Sequence, residues 1–338
     1  MTDNLTREVS NSNCTVDTHV ESALVPILLA ASFFVSLPGN LLSIYVACCH
    51  VKRGYEIGIY LLNLCFVDIL YTLTLPYWFI AYFSPITNMP LYNALVVVTY
   101  SSMYLSPAFL CCIAVDRYLA IVYPLWFYEL RTIRVAVVVS AVCWLAELTC
   151  HALLLHQQAL FSNFSSTVYV ERFPMKTTMV AEYVTRSVVG FCLPLSIFLF
   201  SSHHIYRAVA ESSTVENREK KKLAKLLLLL LLVYAISFGP YHATILVRSL
   251  VEPGNCPFAQ NVYTFYKVFY ALTGLNCAAD PILYCWLYDR AWQDIVQLRM
   301  TARDQLLRLC GWLKRWIDRP KKLSTVLPPQ GCTTIKIT

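Results

Sequence analysis

Charged residues are scarce in this sequence. Asp, Glu, Lys and Arg together make up only 14% of the chain, whereas hydrophobic residues make up 57%. The mean hydropathy is correspondingly high, at +0.54. Soluble domains usually carry about 25% charged residues, so this composition excludes water as the main solvent of the chain.

Motifs of common enzymes are also missing. The sequence has no phosphate-binding loop, no metal-ligand spacing in a cleft and no nucleophile paired with a base. It also lacks a repeat between its two halves, which is typical of transporters. These absences argue against an enzyme and leave a channel, transporter or scaffold as a remote alternative.

Long apolar stretches are what the sequence has instead. A helix needs about 20 mostly apolar residues to cross a membrane, because hydrocarbon offers no partner for free backbone groups. Seven stretches reach that length: residues 24–49, 57–83, 91–122, 135–155, 179–209, 223–250 and 263–287. We therefore predict an all-α membrane protein with a seven-transmembrane helix bundle over residues 24–287.

The positive charges predict the orientation of this bundle in the membrane. Lys and Arg cluster between spans one and two, three and four, and five and six: Lys52, Arg53, Arg131, Arg134, Arg218, Lys220, Lys221, Lys222 and Lys225. Cytoplasmic loops carry such an excess. We expect a plasma-membrane protein whose amino terminus is extracellular, and the net charge of +7 then suits anionic lipid headgroups rather than nucleic acid.

The amino-terminal segment, residues 1–23, is polar. Without an apolar signal-peptide core, the first span is expected to start insertion itself. Sequons at Asn4, Asn13 and Asn163 lie on the predicted outer side, where glycosylation occurs. Cys14 and Cys256 share this oxidising side, so a disulfide between them is plausible.

The segment after span seven is amphipathic. Apolar positions such as Trp292, Val296 and Leu309 predict a short cytoplasmic eighth helix over residues 288–310, lying at the membrane surface. Cys310 at its end is either palmitoylated or an unmodified thiol. Residues 311–338 form a basic cytoplasmic tail.

Polar side chains inside the spans are the main functional candidates. An ionisable group in hydrocarbon costs at least about 2.5 kcal/mol, so each one suggests a function. The set comprises Asn40, Asp68, Ser106, Glu147, Asn276 and Asp280. Pro194 and Pro240 interrupt spans five and six and are candidate hinges.

One motif per helix reveals a family. These motifs are Gly39-Asn40, the run from Leu64 to Asp68, Asp116-Arg117-Tyr118, Trp144, Phe238-Gly239-Pro240-Tyr241 and the run from Asn276 to Tyr284. In this order they resemble the signature positions of rhodopsin-like G-protein-coupled receptors over residues 24–310. Residues 109–118, 171–175, 214–222 and 275–285 further resemble the proton-sensing group of that class.

The resemblance implies a signalling role at the cytoplasmic end. Asp116 would hold Arg117 at rest, and Arg117 would meet a heterotrimeric G protein when span six swings out about Pro240. The residues implied in coupling are Asp116, Arg117, Tyr118, Leu125 and Tyr284. The stimulatory G protein, and hence a rise in cyclic AMP, is implied by the resemblance alone.

A buried acidic site is implied as well. Asp68, Ser106, Asn276 and Asp280 resemble the sodium pocket of the class, and oxygen ligands suit a hard cation. Two carboxylates at one depth cannot both ionise cheaply without a cation, so we expect them to titrate jointly. Glu147 completes the acidic triad of the proton-sensing group, unless it makes only a structural hydrogen bond.

Histidine titrates nearest to extracellular pH. We select His242, His156 and His19 as proton sensors on the outer side, together with Asp68, Glu147 and Asp280. Acid would protonate these groups and favour the state that binds the G protein. A structural role remains the alternative for each histidine.

A lipid-ligand receptor of the same fold, such as a lysolipid receptor, is the alternative function. Arg186, Arg248 and Lys267 near the outer helix ends would meet an anionic headgroup, unless they serve only as interfacial anchors. One departure from the family concerns its usual disulfide between span three and the second outer loop. Tyr92 and Tyr169 occupy the two matching positions, which predicts aromatic packing there.

Overall fold

The computed structural model describes residues 14–16, 18–84, 87–125, 127–157, 173–210, 217–287, 296, 299, 300 and 303. The nine α-helices in these ranges are α1 His19–Lys52, α2 Ile57–Ala81, α3 Met89–Val122, α4 Ile133–Gln157, α5 Thr177–Ser187, α6 Leu193–Ala210, α7 Asn217–Val251, α8 Cys256–Leu272 and α9 Leu275–Leu287. A π-helical turn, Val188–Cys192, joins α5 to α6, and a short 3-10 helix, Tyr128–Leu130, precedes α4.

These helices form the predicted seven spans. Six helical stretches within the described ranges are long and apolar enough to cross a membrane, with α5, the π turn and α6 counting as one. The seventh span consists of α8, of 17 residues, and α9, of 13 residues. The seven-transmembrane fold predicted from the sequence is therefore confirmed, with span six formed by α7 and span seven divided in two.

The division of span seven lies at Thr273 and Gly274. A Cβ atom added to Gly274 would come within 2.8 Å of the Tyr71 Oη, so α2 approaches the backbone closely at this point. At the same point Thr273 Oγ1 donates to the Tyr270 carbonyl at 2.7 Å. The break places Asn276 and Asp280 in the first turns of α9, facing the interior of the bundle, where both are buried.

Capping residues set two of the helix starts. Asn88 Oδ1 accepts from the Leu91 amide at 3.0 Å before α3, and Asn255 Oδ1 accepts from the Phe258 amide at 3.1 Å before α8. Asparagine is a favoured N-cap because its side chain satisfies an amide that has no intrahelical partner. The seventh span consequently begins at Cys256, seven residues before the sequence-based boundary.

The spans pack in a ring around α3. Helix α1 packs against α2 and also against α8 and α9, which closes the ring, while α3 contacts α2, α4, α6 and α7. Phe34 and Ile27 point outward and are 73% and 65% exposed, whereas Asn40 and Asp68 are fully buried inside. Polar residues inside and apolar residues outside are the arrangement that hydrocarbon surroundings favour.

Several predicted features lie outside the described residues. These are the sequons Asn4, Asn13 and Asn163, the thiol Cys310, Tyr169, the tail 311–338 and most of the predicted eighth helix. The chain divides into two compact units, residues 1–294 and 295–338. In the second unit, the described residues 296, 299, 300 and 303 are helical.

A disulfide joins Cys14 to Cys256, with a Cα–Cα distance of 5.6 Å. Gln260 Nε2 adds a hydrogen bond to the Thr15 carbonyl at 2.7 Å. The amino-terminal segment is thereby fixed to the first turn of α8, next to the start of α1. We call the end of the bundle at which α1 begins the amino-terminal end, and the other the opposite end.

Cys256→Ser is expected to lower the thermal unfolding midpoint of the purified protein and its amount at the cell surface. The bridge spans 242 residues of sequence, and a native bridge contributes about 2 to 5 kcal/mol in small secreted domains. Thermal unfolding and surface labelling measure the effect. Cys150→Ser, which removes an exposed free thiol, is the control, and equal values for the two variants would contradict a stabilising bridge.

Candidate functional site

The interior of the bundle contains a buried polar cluster formed by Asp68, Ser106, Asn276 and Asp280. Asn276 Nδ2 donates to Ser106 Oγ at 3.1 Å and to Asp280 Oδ2 at 3.0 Å, so it links α3 to α9. Asp68 and Asp280 have no exposed surface. The structure thus brings together all four residues that the sequence assigned to a sodium pocket, and we call them the acidic cluster.

The carboxylates of the acidic cluster are incompletely satisfied. Both oxygens of Asp68 and Oδ1 of Asp280 are buried and have no hydrogen-bond partner among the described residues. A buried carboxylate without donors is strongly destabilising, so a proton or a cation must complete the site. Carboxylate, hydroxyl and amide oxygens suit a hard cation such as Na⁺, and the residues present therefore fit such an ion.

Asn40 connects the acidic cluster to the first span. Its Nδ2 donates to the Cys277 carbonyl at 2.9 Å and to the Ser36 carbonyl at 3.1 Å. Ser36 Oγ and Thr72 Oγ1 share a further hydrogen bond of 2.7 Å. These contacts join α1, α2 and α9 beside the cluster, since Cys277 directly follows Asn276 in the chain.

His242 lies nearer the amino-terminal end, on α7. It is only 1% exposed, and its Nδ1 is 3.3 Å from Ser187 Oγ. Its ring stacks on Phe191, with 5.3 Å between centroids and 16° between planes. His242 is therefore held between the end of α5 and the π turn.

The π turn is a junction of three spans. Phe191 stacks on Tyr234 as well as on His242, and Tyr234 Oη donates to the Gly190 carbonyl at 2.8 Å. The Tyr104 ring of α3 occupies the place where a side chain of residue 190 would begin, so only glycine fits there. Sequence reasoning missed this junction, because a π turn has no simple periodic signal.

Glu147 pairs with a histidine on its own helix. Its Oε1 lies 3.0 Å from Nε2 of His151, one turn along α4, and His151 is buried. The sequence analysis passed over His151, although a spacing of four residues in a helix would have revealed the pair. The selected His156 also lies on α4, but its side chain is outside the described residues, and His19 is exposed at the start of α1.

The three cations assigned to a lipid pocket have different surroundings. Arg186 Nη2 pairs with Glu182 Oε1 at 2.8 Å and lies over the Tyr100 ring. Arg248 pairs with Glu252. Lys267 Nζ lies 5.7 to 5.9 Å from the centroids of three aromatic rings, those of Phe173, Tyr263 and Tyr266. Both arginines are thus already neutralised by a glutamate on the chain, which weakens their role as headgroup ligands.

The opposite end carries an ionic network around Arg117. Arg117 Nε donates to Asp116 Oδ2 at 2.9 Å, and Arg117 Nη2 is 3.9 Å from Glu56 Oε1. Arg131 pairs with the same Glu56 oxygen at 2.6 Å and lies 3.7 Å from Asp116. The predicted Asp116–Arg117 contact is therefore present, and Glu56 and Arg131 extend it in a way that the motif alone did not indicate.

The other residues assigned to coupling lie close to this network. Tyr118 packs edge to face against Phe200 of α6, with centroids 5.4 Å apart. Leu125 is 87% exposed just beyond α3, as a side chain that enters a partner should be. Tyr284 is in α9, and its side chain lies outside the described residues.

Tyr92 occupies one of the two positions where the family places its loop disulfide. Its ring packs edge to face on Trp78 of α2, with centroids 5.6 Å apart. Trp78 Nε1 in turn donates to Thr99 Oγ1 at 3.0 Å. The start of α3 is thereby attached to α2 by aromatic packing, whereas packing between Tyr92 and Tyr169 stays a prediction because Tyr169 lies outside the described residues.

Comparison with known proteins agrees with this architecture. Residues 39–284 match the family model described as 7 transmembrane receptor (rhodopsin family). Human G-protein coupled receptor 68 is 34% identical over 301 residues, which cover 88% of this chain and 82% of the relative. Human G-protein coupled receptor 65 is 36% identical over 303 residues, covering 84% and 89%.

A third relative is named for a lipid ligand. Human lysophosphatidic acid receptor 6 is 30% identical over 309 residues, covering 87% of this chain and 89% of the relative. The relatives are receptors and not enzymes, and the family model covers most of the helical bundle. The chain therefore belongs to the rhodopsin family of seven-transmembrane receptors, as a multi-pass membrane receptor that couples to heterotrimeric G proteins.

Proposed function

We propose that this receptor is activated by extracellular acidification and raises cyclic AMP through the stimulatory G protein. The amino-terminal end of the bundle, with its disulfide and His242, faces outward, and the network around Arg117 faces the cytosol. Protonation near the outer end and in the interior shifts the helix packing toward the state that binds the G protein.

The acidic cluster is the observation that carries this proposal. Asp68 and Asp280 are fully buried, and three of their four oxygens lack donors among the described residues. A bound Na⁺ would supply positive charge there, held by Asp68, Ser106, Asn276 and Asp280. Protons and Na⁺ are alternative ways to neutralise the same carboxylates, so external acid changes the state of a site built from α2, α3 and α9.

His242 links proton uptake to helix movement. Protonation would place a charge on a ring stacked on Phe191 and only 1% exposed. A buried charge without a counter-ion is unstable, so the protonated state favours packing in which the ring leaves this stack. Because His242 lies two residues after Pro240, such a change acts on the predicted hinge of span six.

Glu147 and His151 provide a further titratable pair on the outer half of span four. Their 3.0 Å contact is an ion pair only when the imidazole carries its proton. His19 and His156 are the other outer histidines in the proposed orientation. Together with the acidic cluster they give several protonation sites, which supports a graded response across the extracellular pH range.

The similarity to G-protein coupled receptors 68 and 65 supports this proposal, because it covers most of each chain. The similarity to lysophosphatidic acid receptor 6 favours the second candidate, a lipid-ligand receptor. Arg186 and Arg248 have glutamate partners and Lys267 lies near three aromatic rings, so an anionic headgroup would compete with these contacts for each cation. A response to lysolipid at constant pH would select this second function.

His242→Phe is expected to move the midpoint of the cyclic-AMP response to lower external pH by about half a unit or more. Phenylalanine keeps the stack on Phe191 but cannot take up a proton. A midpoint shift of one pH unit corresponds to a free-energy difference of about 1.4 kcal/mol between the two protonation states. The measurement is cyclic AMP against external pH from 8 to 6, in cells with matched surface expression.

His203→Phe is the matched control, because His203 lies on α6 toward the opposite end, which faces the cytosol in this proposal. Its midpoint should equal that of the parent. A flat response of the parent across this range would overturn proton sensing itself. An unchanged midpoint in His242→Phe alone would remove only His242 from the mechanism.

A further inference from the structure

We propose that the Arg248–Glu252 ion pair fastens the segment before α5 to span six. The segment, residues 173–175, is the end of the loop between spans four and five. In the family this loop is usually bridged to span three, and here the matching positions are Tyr92 and Tyr169. The proposal concerns what holds the loop and does not depend on which ligand activates the receptor.

Glu252 is the centre of the attachment. Its Oε1 accepts from the Met175 amide at 2.8 Å and from Arg248 Nη2 at 3.0 Å, and Arg248 Nε contacts Oε2. Glu252 and Arg248 are 0% and 2% exposed. One buried carboxylate therefore joins the loop backbone to the last turn of α7.

Aromatic contacts hold the other part of the segment. Phe173 packs edge to face on Tyr263 of α8, with 4.8 Å between centroids. The Arg248 guanidinium lies 4.5 Å from the Phe173 ring centroid and 4.0 Å from that of Tyr266. Desolvated cation–π contacts of this kind are stabilising. Arg248 therefore binds the Phe173 side chain of the segment, and Glu252 binds the backbone amide of Met175.

The position of Glu252 is not explained by the stability of α7. It directly follows Val251, the last residue of that helix, where the helix dipole disfavours a negative charge. Burial of the carboxylate adds a desolvation cost. These costs are offset only because the carboxylate accepts hydrogen bonds from both Arg248 and the loop, which indicates that holding the loop is its role.

Helix α7 consequently contacts the neighbouring chain at several points, among them the Tyr234 hydrogen bond to the π turn. Glu252 holds Met175 just before α5, and His242 contacts Ser187 at the end of α5. A rigid outward movement of α7 must therefore carry α5 and the loop segment or break one of these contacts. In a receptor with the usual bridge the loop would be attached to span three, whereas here its last residues are attached to spans six and seven.

Hydrogen exchange of the purified receptor at constant pH tests the attachment. Glu252→Gln should speed exchange of the Met175 amide by about tenfold or more, because the buried amide then bonds to a neutral acceptor and the ion pair with Arg248 is lost. Glu182→Gln is the matched control, since it removes the acid of the other Arg–Glu pair at the same spacing. The control should leave exchange in residues 173–175 unchanged.

A second pair of variants applies if Glu252→Gln reduces folding. Met175→Pro removes the amide that Glu252 binds, while Met175→Leu keeps it and preserves a buried apolar side chain. Met175→Pro should speed exchange of the Met179 amide, which donates to the Lys176 carbonyl at 3.0 Å, several-fold relative to Met175→Leu. Exchange within about twofold of the parent in Glu252→Gln, or of Met175→Leu in Met175→Pro, would overturn the proposal. A flat pH response would leave it standing, because neither measurement involves acid or a G protein.

Discussion

Arg117→Ala is expected to reduce G-protein activation to about one tenth of the parent level or less, with the helical bundle still folded. Arg117 is the cation at the end of α3 that Asp116 and Glu56 hold in the present state. In the proposed mechanism the same guanidinium becomes available to the G protein when span six moves out. Alanine removes that contact. A rise of about 1.4 kcal/mol in the activation free energy already lowers the rate tenfold. Nucleotide exchange on purified G protein, together with thermal unfolding of the receptor, measures activation and folding separately.

Glu56→Gln, in the same network, is expected to raise activity, whereas Arg117→Ala is expected to lower it. It keeps the size of the side chain but removes the carboxylate that Arg131 contacts at 2.6 Å and Arg117 approaches at 3.9 Å. Arg117 is then held less tightly, and basal activity should rise by roughly fivefold for each kcal/mol removed from the resting state. A fall in basal activity would contradict a restraining role for Glu56, and undiminished activation by Arg117→Ala would contradict the assignment of the coupling site.

The seven spans could be predicted because a helix that crosses hydrocarbon needs about 20 consecutive, mostly apolar residues. The predicted starts of spans one and seven were late, by five residues at His19 and by seven at Cys256. Span one begins early because Glu21, a residue that hydropathy disfavours, is buried and accepts from Tyr263 Oη at 2.8 Å. That contact joins residues 242 positions apart, and no local pattern reveals such a pair.

The acidic cluster could be predicted because its two carboxylates are expensive in a membrane span and Asp68, Asn276 and Asp280 match family motifs. The π turn and the break at Gly274 could not, since both depend on close approach by a tyrosine from another helix, Tyr104 and Tyr71. Pairs within one helix form an intermediate case. Glu147–His151 and Arg248–Glu252 both have a spacing of four residues, but only the structure shows that they are buried.

Asp280→Asn is expected to move the pH midpoint of activation to lower pH by about one unit and to make the response less steep. At present Asp68 and Asp280 share a fully buried site and are expected to titrate jointly. An asparagine keeps the size of the side chain, and its carbonyl oxygen can still accept from Asn276 Nδ2, which contacts Asp280 Oδ2 at 3.0 Å. The remaining carboxylate then titrates alone, without a like charge beside it. Cyclic AMP against external pH measures both the midpoint and the steepness.

Thermal unfolding gives this substitution a second readout that does not require a G protein. Removing one of two buried carboxylates relieves like-charge repulsion, so the unfolding midpoint of Asp280→Asn should exceed that of the parent at pH 8 and approach it at pH 6. Replacing Na⁺ by choline should destabilise the parent at pH 8 more than the variant, because the variant has lost one of the oxygen pairs that suit the cation. Ser106→Ala is the control, since it removes a neutral ligand and leaves both carboxylates in place. If Asp280→Asn and Ser106→Ala have the same pH dependence of unfolding, the paired carboxylates are not the source of the proposed acid response.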